Sequence, residues 1–221
     1  MLHIDIKHKN KSLCISINEQ ISVGNCVGIF GKSGCGKSSL LHLISGLIEP
    51  QQAEISFEGK IWHNASTNLP SHRRPLAYIQ QHELLFAHMS VKQNLKYALR
   101  SIEDNILLEE LIEIIEIETL LPKMPKVLSG GERQKVLLVR SLLQKPKVWL
   151  LDEPLSAIDF EMRKYLQRYI LKTQQQYKLT SIIVSHDPYE LQKLCNEIWI
   201  MDKGNVIQKG DFEETLEHLI H

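Results

Sequence analysis

The stretch CVGIFGKSGCGKSS, residues 26–39, decides the fold. Its first five residues form a continuous apolar run, typical of a strand covered on both faces of a parallel sheet. Residues 31–38 match G-x-x-x-x-G-K-[ST], a glycine-rich turn whose backbone N–H groups bind phosphate between a strand and a helix. A helix is predicted from Lys37 to Gly46. The predicted phosphate-binding residues are Gly31, Lys32, Ser33, Gly34, Cys35, Gly36, Lys37, Ser38 and Ser39.

Two side chains of this loop have predicted roles in binding a nucleotide. Lys37 is expected to reach the β- and γ-phosphates, and Ser38 to ligate Mg²⁺. Cys35 is interpreted as a spacer rather than a redox switch. The loop alone indicates a nucleotide-binding protein, a class that includes kinases, GTPases and helicases.

Acidic residues and a histidine follow two other apolar runs. VWLLDEP, residues 148–154, ends in Asp152, a candidate Mg²⁺ ligand, and Glu153, a candidate base for an attacking water. SIIVSHDP, residues 181–188, places His186 beyond the end of another buried strand, where ligands of α/β sheets gather. Taken alone, the carboxylates could also form an ordinary acidic turn, and His186 could be a surface histidine.

The remaining pattern predicts an α/β core with a helical insertion. LHIDI (2–6) and LCISI (13–17) alternate like antiparallel strands, and residues 53–64 read as a hairpin turning at Glu58-Gly59. IWIM (198–201) is a further buried strand. Helices are predicted over residues 91–100, capped by Ser90 and Gln93, and over residues 105–117. The single domain is therefore divided into a core, about 1–81 and 145–221, and a helical subdomain, about 82–144.

Composition excludes several classes of function. Lys plus Arg equals Asp plus Glu at 26 each, so nothing indicates nucleic-acid binding. The four cysteines form no C-x-x-C pair, so neither a zinc site nor a disulfide framework is indicated, and reduced thiols are expected. No signal segment and no apolar run of ~20 residues is evident, so another chain must cross any membrane that this protein serves.

Six motifs occur in one order: GKSGCGKS, YIQQHELLF, LSGGERQ, LLDEP, SAID and SHDP. This series resembles the nucleotide-binding subunit of ATP-binding cassette (ABC) transporters over essentially the whole chain. The resemblance implies an α/β fold, with a P-loop NTPase (RecA-like) core, an antiparallel β subdomain and an inserted helical signature subdomain. It also implies an ATPase that uses ATP and Mg²⁺.

The resemblance assigns roles to single residues. Gln81, chosen over Gln80 by counting back from LFAHMSV, resembles the glutamine that touches Mg²⁺ and senses the membrane partner. Glu153 resembles the catalytic base and His186 the switch histidine. Asp159, in SAID, resembles the aspartate that lines the subunit interface.

LSGGERQ, residues 128–134, offers a second phosphate-binding shape. Ser129 and Glu132 form a capping-box pattern, so the plain interpretation is a well-capped helix start. Such a start, with Gly130 and Gly131, also presents free N–H groups and a positive end to phosphate. In the family, Ser129, Gly130 and Gly131 would bind the ATP held by the phosphate loop of a second copy. A head-to-tail homodimer is therefore expected.

One position departs from the family. An aromatic residue usually stacks on adenine about 25 residues before the phosphate-loop lysine, but residues 8–12 read HKNKS. His8 is the candidate replacement, and weak recognition of the base, with little selectivity for ATP over GTP, is expected.

The transported solute is indicated only by finer resemblance. P-x-x-R-R (70–74) and V-x-x-N-L-x-Y (91–97) resemble ATP-binding subunits of molybdate importers. Many of those carry a further C-terminal oxyanion-sensing domain, and here its regulation is expected to be absent or supplied elsewhere. Alternatives are import of another oxyanion, metal or polar solute, or a soluble non-transport ABC ATPase.

The family also implies the partners. These are a permease docked near residues 81–94, a second copy of the chain and, indirectly, a periplasmic or extracellular solute-binding protein. The chain is then expected to lie peripherally at the cytoplasmic face of the inner membrane.

Overall fold

Two β-sheets organise the chain. The computed structural model describes residues 1–9, 13–81, 85–99, 101, 104–156 and 158–216. The strands are β1 (Leu2–Lys9), β2 (Cys14–Ile21), β3 (Cys26–Phe30), β4 (Gln52–Phe57), β5 (Lys60–His63), β6 (Leu76–Ile79), β7 (Val148–Asp152), β8 (Thr180–Val184), β9 (Glu197–Asp202) and β10 (Asn205–Gly210). The helices are α1 (Lys37–Ser45), α2 (Val91–Tyr97), α3 (Asp104–Ile115), α4 (Gly130–Leu142), α5 (Phe160–Tyr177), α6 (Pro188–Leu194) and α7 (Phe212–Thr215). None of the helices in these described ranges is both long and apolar enough to cross a membrane.

The six-stranded sheet has the order β10-β9-β3-β8-β7-β6. Its four pairings from β9 to β6 are parallel, and only β10 pairs antiparallel, with β9. The buried-strand predictions at residues 26–30, 148–151, 181–184 and 198–201 are confirmed. β6 and β10 were not predicted, because β6 is only four residues long and β10 is a half-exposed edge strand without an apolar run.

The four-stranded sheet is antiparallel, with the order β2-β1-β4-β5. The alternation predicted at the start of the chain is confirmed, since Leu2, Ile4 and Ile6 are buried while their neighbours are more exposed. The predicted hairpin joins β4 to β5. Glu58 and Gly59 both have positive φ, 49° and 77°, as a two-residue turn of this twist requires.

Helices α2, α3 and α4 follow β6 and precede β7 in the chain. The predicted capping box of α2 is confirmed, since Ser90 Oγ accepts from Gln93 N and Gln93 Oε1 accepts from Ser90 N. α2 ends at Tyr97, earlier than predicted, and α3 ends at Ile115, just before Glu116 takes a positive φ of 55°. The division into a core and a helical subdomain near residues 82 and 144 stays a prediction, and residues 82–84 lie outside the described ranges.

The six-stranded sheet separates two apolar cores. Trp149 and Leu151 of β7 face the core formed with helices α2 to α6, whereas Val148 and Leu150 face the core shared with α1 and the antiparallel sheet. This alternation is the period of a strand covered on both sides. Both faces of the sheet are therefore covered by apolar side chains, and polar residues can be accommodated at the ends of its strands.

A buried arginine terminates α1. Arg74 is 1% exposed, and its guanidinium donates to the carbonyl of Ile44 at 2.5 Å and to that of Leu69 at 2.9 Å. It lies 5.9 Å from the Trp62 ring centroid, and a Cβ at Gly46 would be 2.7 Å from its Cζ. Burial lowers the pKa of Arg74 to about 10, so the side chain stays charged at neutral pH. A charge at this helix end satisfies carbonyls that would otherwise lack donors.

Replacing Arg74 with Met should destabilise the fold. Met fills a similar volume but leaves the carbonyls of Ile44 and Leu69 without a charged donor, and such hydrogen bonds contribute about 1.5–3 kcal/mol each. We expect Arg74→Met to lower the free energy of unfolding by about 2–4 kcal/mol, measured by urea denaturation. Arg73→Met is the matched control, because Arg73 is exposed. Equal losses in both variants would contradict the capping role.

Candidate functional site

A cavity of about 460 Å³ lies at the carboxyl end of the parallel sheet. It combines the loop after β3 with residues that follow β6, β7 and β8. Its lining residues are Leu13, Gly31, Ser33, Gly34, Gly36, Lys37, Ser38, Ser39, Gln81, Asp152, Glu153, Val184 and His186. The three segments predicted to handle phosphate, metal and water thus meet in one place, although they are far apart in the chain.

The phosphate loop depends on glycine at two kinds of position. Gly34 and Gly36 have φ values of 79° and 113°, which residues with side chains rarely adopt. Gly31 is needed for close approach, because a Cβ there would lie 2.3 Å from the carbonyl oxygen of Met201. β9 thereby packs directly against the loop and fixes its path.

Lys37, the first residue of α1, spans the loop with its side chain. Its Nζ donates to the carbonyl of Gly31 at 2.7 Å and to that of Lys32 at 3.1 Å. The ammonium group is therefore held over the opening of the loop, at the positive end of α1. Lys32 and Cys35 do not line the cavity: Lys32 is exposed, and Cys35 is buried in the core shared with α1.

Asp152 ends β7 and is 3% exposed. Its Oδ2 accepts from the Tyr78 hydroxyl at 3.3 Å, while its Oδ1 is buried without a hydrogen-bond partner among the described residues. A buried carboxylate oxygen of this kind needs a donor or a cation. Ser38 and Gln81 line the same cavity and supply further oxygen atoms, the ligand type that Mg²⁺ prefers. The residues present fit a magnesium ion.

Glu153 and His186 form a hydrogen-bonded pair in the same cavity. Glu153 Oε2 lies 2.7 Å from His186 Nδ1. The Glu153 side chain is 10% exposed and that of His186 is 72% exposed. The backbone of Glu153 has a φ of 53°, uncommon for a residue other than glycine, and its N–H donates to the Val184 carbonyl at 2.9 Å. The carboxylate is held in place by neighbouring strand β8, whereas the imidazole faces outward.

The second predicted phosphate-binding segment lies outside this cavity. Ser129 and Glu132 form both hydrogen bonds of the capping box, at 3.1 and 2.8 Å. These bonds, together with Lys123 at 2.9 Å, hold the pKa of Glu132 below its usual value. Ser129 and Gly130 are exposed, and none of residues 129–131 is among the residues that line the cavity. Within one copy, the structure does not bring the two phosphate-binding segments together.

Asp159 also lies outside the cavity, at the start of α5. Its Oδ1 accepts from the backbone N–H of Met162 at 3.0 Å, which caps the helix. Met162 in turn packs against the signature, since a Cβ at Gly131 would be 2.7 Å from its Cγ. The starts of α4 and α5 are therefore in contact, and Asp159 is exposed beside them.

Sequence reasoning missed Leu13. The predicted replacement for the missing aromatic, His8, is not among the residues that line the cavity, whereas Leu13 is. Leu13 also packs against the loop, because a Cβ at Gly36 would be 2.8 Å from its Cδ2. Residues 10–12 lie outside the described ranges. Leu13 lies one position beyond residues 8–12, and its apolar side chain at that position is the sequence signal for a residue lining the cavity.

A smaller cavity of about 310 Å³ adjoins the first and shares Glu153 and His186 with it. Its wall includes Arg163, whose Nη1 donates to Asp187 Oδ2 at 3.2 Å, and Glu190, which is 3% exposed. Burial raises the pKa of Glu190 to about 7, and the negative charges of Asp187 and Glu153 act in the same direction. Glu190 therefore takes up a proton on folding near neutral pH.

Glu190 should make stability depend on pH. Its folded pKa of about 7 exceeds the ordinary 4.5, so the folded chain binds more protons than the unfolded chain between those values. The free energy of unfolding should therefore fall by up to about 3 kcal/mol as pH rises through this window. Glu190→Gln should remove that contribution. The free energy of unfolding of the variant, relative to that of the parent, should therefore increase as pH rises from about 5 to about 8, measured by urea denaturation.

Glu161→Gln, an exposed carboxylate of α5, is the matched control for Glu190→Gln and should leave the pH slope as it is in the parent. Parallel pH profiles for Glu190→Gln and the parent would refute the buried-carboxyl assignment.

Known proteins resemble this chain over most of its length. The Molybdenum import ATP-binding protein ModC of Shewanella sp. strain MR-4 is 35% identical over 216 residues, which are 97% of this chain and 60% of that protein. ModC of Rhodopseudomonas palustris strain BisB18 is 40% identical over 187 residues, 83% of this chain and 49% of that protein. The Sulfate/thiosulfate import ATP-binding protein CysA of Synechocystis sp. is 37% identical over 207 residues, which are 91% of this chain and 57% of that protein. The chain thus spans between about half and three fifths of these relatives' length.

Solved structures share the fold. CbiO1 of Clostridium perfringens, described as part of the ABC transporter complex CbiONQ, superposes with a TM-score of 0.84 at 26% identity, over 99% of this chain and 92% of that one. A dimeric ATP-binding cassette bound to ADP and Pi superposes with a TM-score of 0.82 at 23% identity, over 96% of this chain and 99% of that one. At this identity the similarity is evidence for the fold only. The predicted α/β fold class is confirmed. The family model described as "ABC transporter" matches residues 15–156, and this chain belongs to that family.

Proposed function

We propose that this chain is the ATP-hydrolysing subunit that powers import of an oxyanion of the molybdate and sulfate class through a separate membrane permease. The observation that carries the ATPase proposal is the cavity in which the phosphate loop, Asp152, Glu153 and His186 meet. The solute class is supported by the relatives, two of them named for molybdenum import and one for sulfate or thiosulfate import.

The phosphate loop binds the triphosphate through charge and backbone donors. The N–H groups of residues 31–38 and the N-terminus of α1 surround the phosphates, and the Lys37 ammonium neutralises their charge. Leu13, at the cavity wall, offers an apolar surface for the base in place of an aromatic ring. Asp152, Ser38 and Gln81 would hold Mg²⁺, which supplies charge neutralisation between the phosphates.

Glu153 is the proposed general base. Its carboxylate accepts a proton from the attacking water as the water oxygen bonds to the γ-phosphorus and the bond to the ADP oxygen breaks. The hydrogen bond from His186 and the backbone hydrogen bond to Val184 keep the carboxylate oriented toward the cavity. His186, largely exposed, is placed to contact the γ-phosphate. The rate advantage comes from positioning these groups before the reaction.

A second copy completes each site. The cavity of one copy lacks the phosphate contacts predicted for the signature, because Ser129 and Gly130 are exposed elsewhere on the same chain. A head-to-tail homodimer would place one copy's signature over the other copy's phosphate loop. Asp159, exposed beside the signature, would then lie in the same interface.

The permease would dock near residues 81–94, of which 82–84 lie outside the described ranges. Phe86 is 38% exposed and packs edge-on against Tyr97, itself 67% exposed, with ring centroids 5.0 Å apart. Two exposed aromatic rings in contact favour a protein partner at this surface. Such docking places the chain peripherally at the cytoplasmic face of the membrane, with a solute-binding protein serving the permease from the other side.

Glu153→Gln should separate binding from hydrolysis. The amide has nearly the same shape but cannot accept the proton, so ATP should bind while turnover falls by at least about a hundredfold. ATP should then trap a dimer, seen by size-exclusion chromatography, while phosphate release measures turnover. Glu54→Gln, an exposed strand residue, is the control and should hydrolyse ATP like the parent. A monomeric Glu153→Gln variant with normal turnover would contradict both the base role and the dimer.

Mixing two inactive variants tests the shared site. Lys37→Ala should weaken ATP binding by at least about tenfold, or about 1.4 kcal/mol. Ser129→Arg should block the signature. In a mixed dimer both defects fall in one site and leave the other intact, so mixing should restore nucleotide retention above that of either variant alone.

Ser90→Arg is the matched control for Ser129→Arg, because it removes an equivalent helix cap in α2 away from the cavity. It should retain nucleotide without a partner variant, in an assay that contains no permease. Mixtures of Lys37→Ala and Ser129→Arg could retain no more nucleotide than either variant alone, while Ser90→Arg retains it normally. That result would show that the signature of one copy does not complete the site of the other.

A further inference from the structure

Two thiols face each other behind the phosphate loop strand. Cys26 is the first residue of β3, and Cys195 directly follows α6. Their sulfur atoms are 3.5 Å apart, although the residues are separated by 169 positions in the chain. All four cysteines of the chain are free thiols in the structure, and this pair lies outside the cavity proposed for ATP.

Hydrogen bonds already connect the chain at Cys26 to the residue that follows Cys195. Asn196 N donates to the carbonyl of Cys26 at 2.8 Å, and Cys26 N donates to Asn196 Oδ1 at 2.9 Å. Just beyond, Val27 of β3 is in register with Glu197 of β9 in the parallel sheet. A disulfide bond is about 2.05 Å long, so only an approach of about 1.5 Å separates the two sulfurs from bonding distance.

The surroundings leave room for the sulfurs and place a donor beside them. A Cβ at Gly28 would lie 3.0 Å from Cys195 Sγ, so any other residue at position 28 would press on this thiol. Gln174, a buried residue of α5, directs its Nε2 to Cys26 Sγ at 3.1 Å. An N–H donor at this distance places partial positive charge against a sulfur that becomes negative when it attacks.

The two thiols differ in access. Cys26 is 3% exposed, while Cys195 is partly exposed at the end of α6. The Cys195 sulfur itself points inward, and burial together with the adjacent Cys26 raises the pKa of Cys195 well above its usual value. Reaction through the Cys195 thiolate should therefore be slow at neutral pH and faster as pH rises.

We propose that Cys26 and Cys195 are a site of reversible oxidation, at which a low-molecular-weight disulfide converts the two thiols into an intramolecular disulfide. The Cys195 thiolate attacks the small disulfide, forming a mixed disulfide and releasing one small thiolate. The Cys26 thiolate then attacks the Cys195 sulfur and releases the second. Two protein thiols are oxidised, one small disulfide is reduced to two thiols, and the two protein protons pass through solvent to the released thiolates.

The disulfide bond would link the end of α6 covalently to β3 of the six-stranded sheet. β3 leads directly into the phosphate loop, and α6 begins two residues after His186 and ends immediately before Cys195. A covalent link at the end of α6 restricts the local opening of that helix. This consequence concerns the described fold and stands whether or not the chain transports an oxyanion.

Oxidation of the folded full chain with oxidised glutathione tests the proposal. Peptide mapping after unfolding should give one linked pair containing Cys26 and Cys195, while the buried Cys35 stays a free thiol and the exposed Cys14 carries glutathione. Dithiothreitol should reverse the change, and the rate should increase with pH. In the oxidised protein, backbone amides of α6 should exchange with deuterium more slowly than in the reduced protein. Free thiols remaining at Cys26 and Cys195, or a pairing other than 26 with 195, would overturn the proposal.

Three variants sharpen the result. Cys14→Ser removes an exposed thiol and should leave the pairing intact, whereas Cys195→Ser should prevent it. Gln174→Met removes the donor to Cys26, so the mixed disulfide on Cys195 should persist about tenfold longer or more. Formation of an intramolecular disulfide in Cys195→Ser at the parent's rate would reject the assignment. So would an unchanged lifetime of the mixed disulfide in Gln174→Met, if peptide mapping of the parent also gave several different cysteine pairs.

Discussion

Burial of the six-stranded sheet on both faces is the constraint on which the rest of the structure depends. Because apolar cores cover both sides of β3, β7 and β8, charged side chains can be placed only at the strand ends. Parallel pairing puts the carboxyl ends of these three strands at one edge. The phosphate loop, the two carboxylates after β7 and the histidine after β8 are therefore brought together by the sheet itself, and the cavity needs no further device to assemble it.

The proposed homodimer is supported by the separation of the signature from the cavity within one copy. α4 begins outside the cavity, where the capping box and the contact of Gly131 with Met162 of α5 leave Ser129 and Gly130 exposed. An exposed helix start of this kind presents the positive end of its dipole to an anion. In the proposed homodimer that anion would be the nucleotide bound by the phosphate loop of the other copy.

Local sequence patterns predicted much of the fold and the residues of the cavity, because both depend on short-range chemistry. Glycine spacing identified the phosphate loop, apolar runs identified β3, β7 and β8, and the structure brings Gln81, Asp152, Glu153 and His186 to that loop. Their catalytic roles stay predictions. The features missed depend on contacts between distant segments. Arg74 was noted only as part of a family pattern, yet it caps α1. Leu13 lines the cavity although it was not predicted there. Cys26 and Cys195 are in contact across 169 positions, a proximity that no local spacing indicates.

The hydrogen bonds of Lys37 to two carbonyls of its own loop have a thermodynamic consequence. A phosphate oxygen that takes this ammonium must compete with oxygen atoms at 2.7 and 3.1 Å, so binding exchanges one set of charge-assisted hydrogen bonds for another. The net gain is the difference between the two sets and is much smaller than the strength of either. Because the ammonium is already oriented by these two hydrogen bonds, however, little conformational entropy remains to be lost when a nucleotide binds. In the proposed function, Lys37 would therefore contribute to nucleotide affinity by holding a charge in position in advance, and not through a net gain in hydrogen bonds.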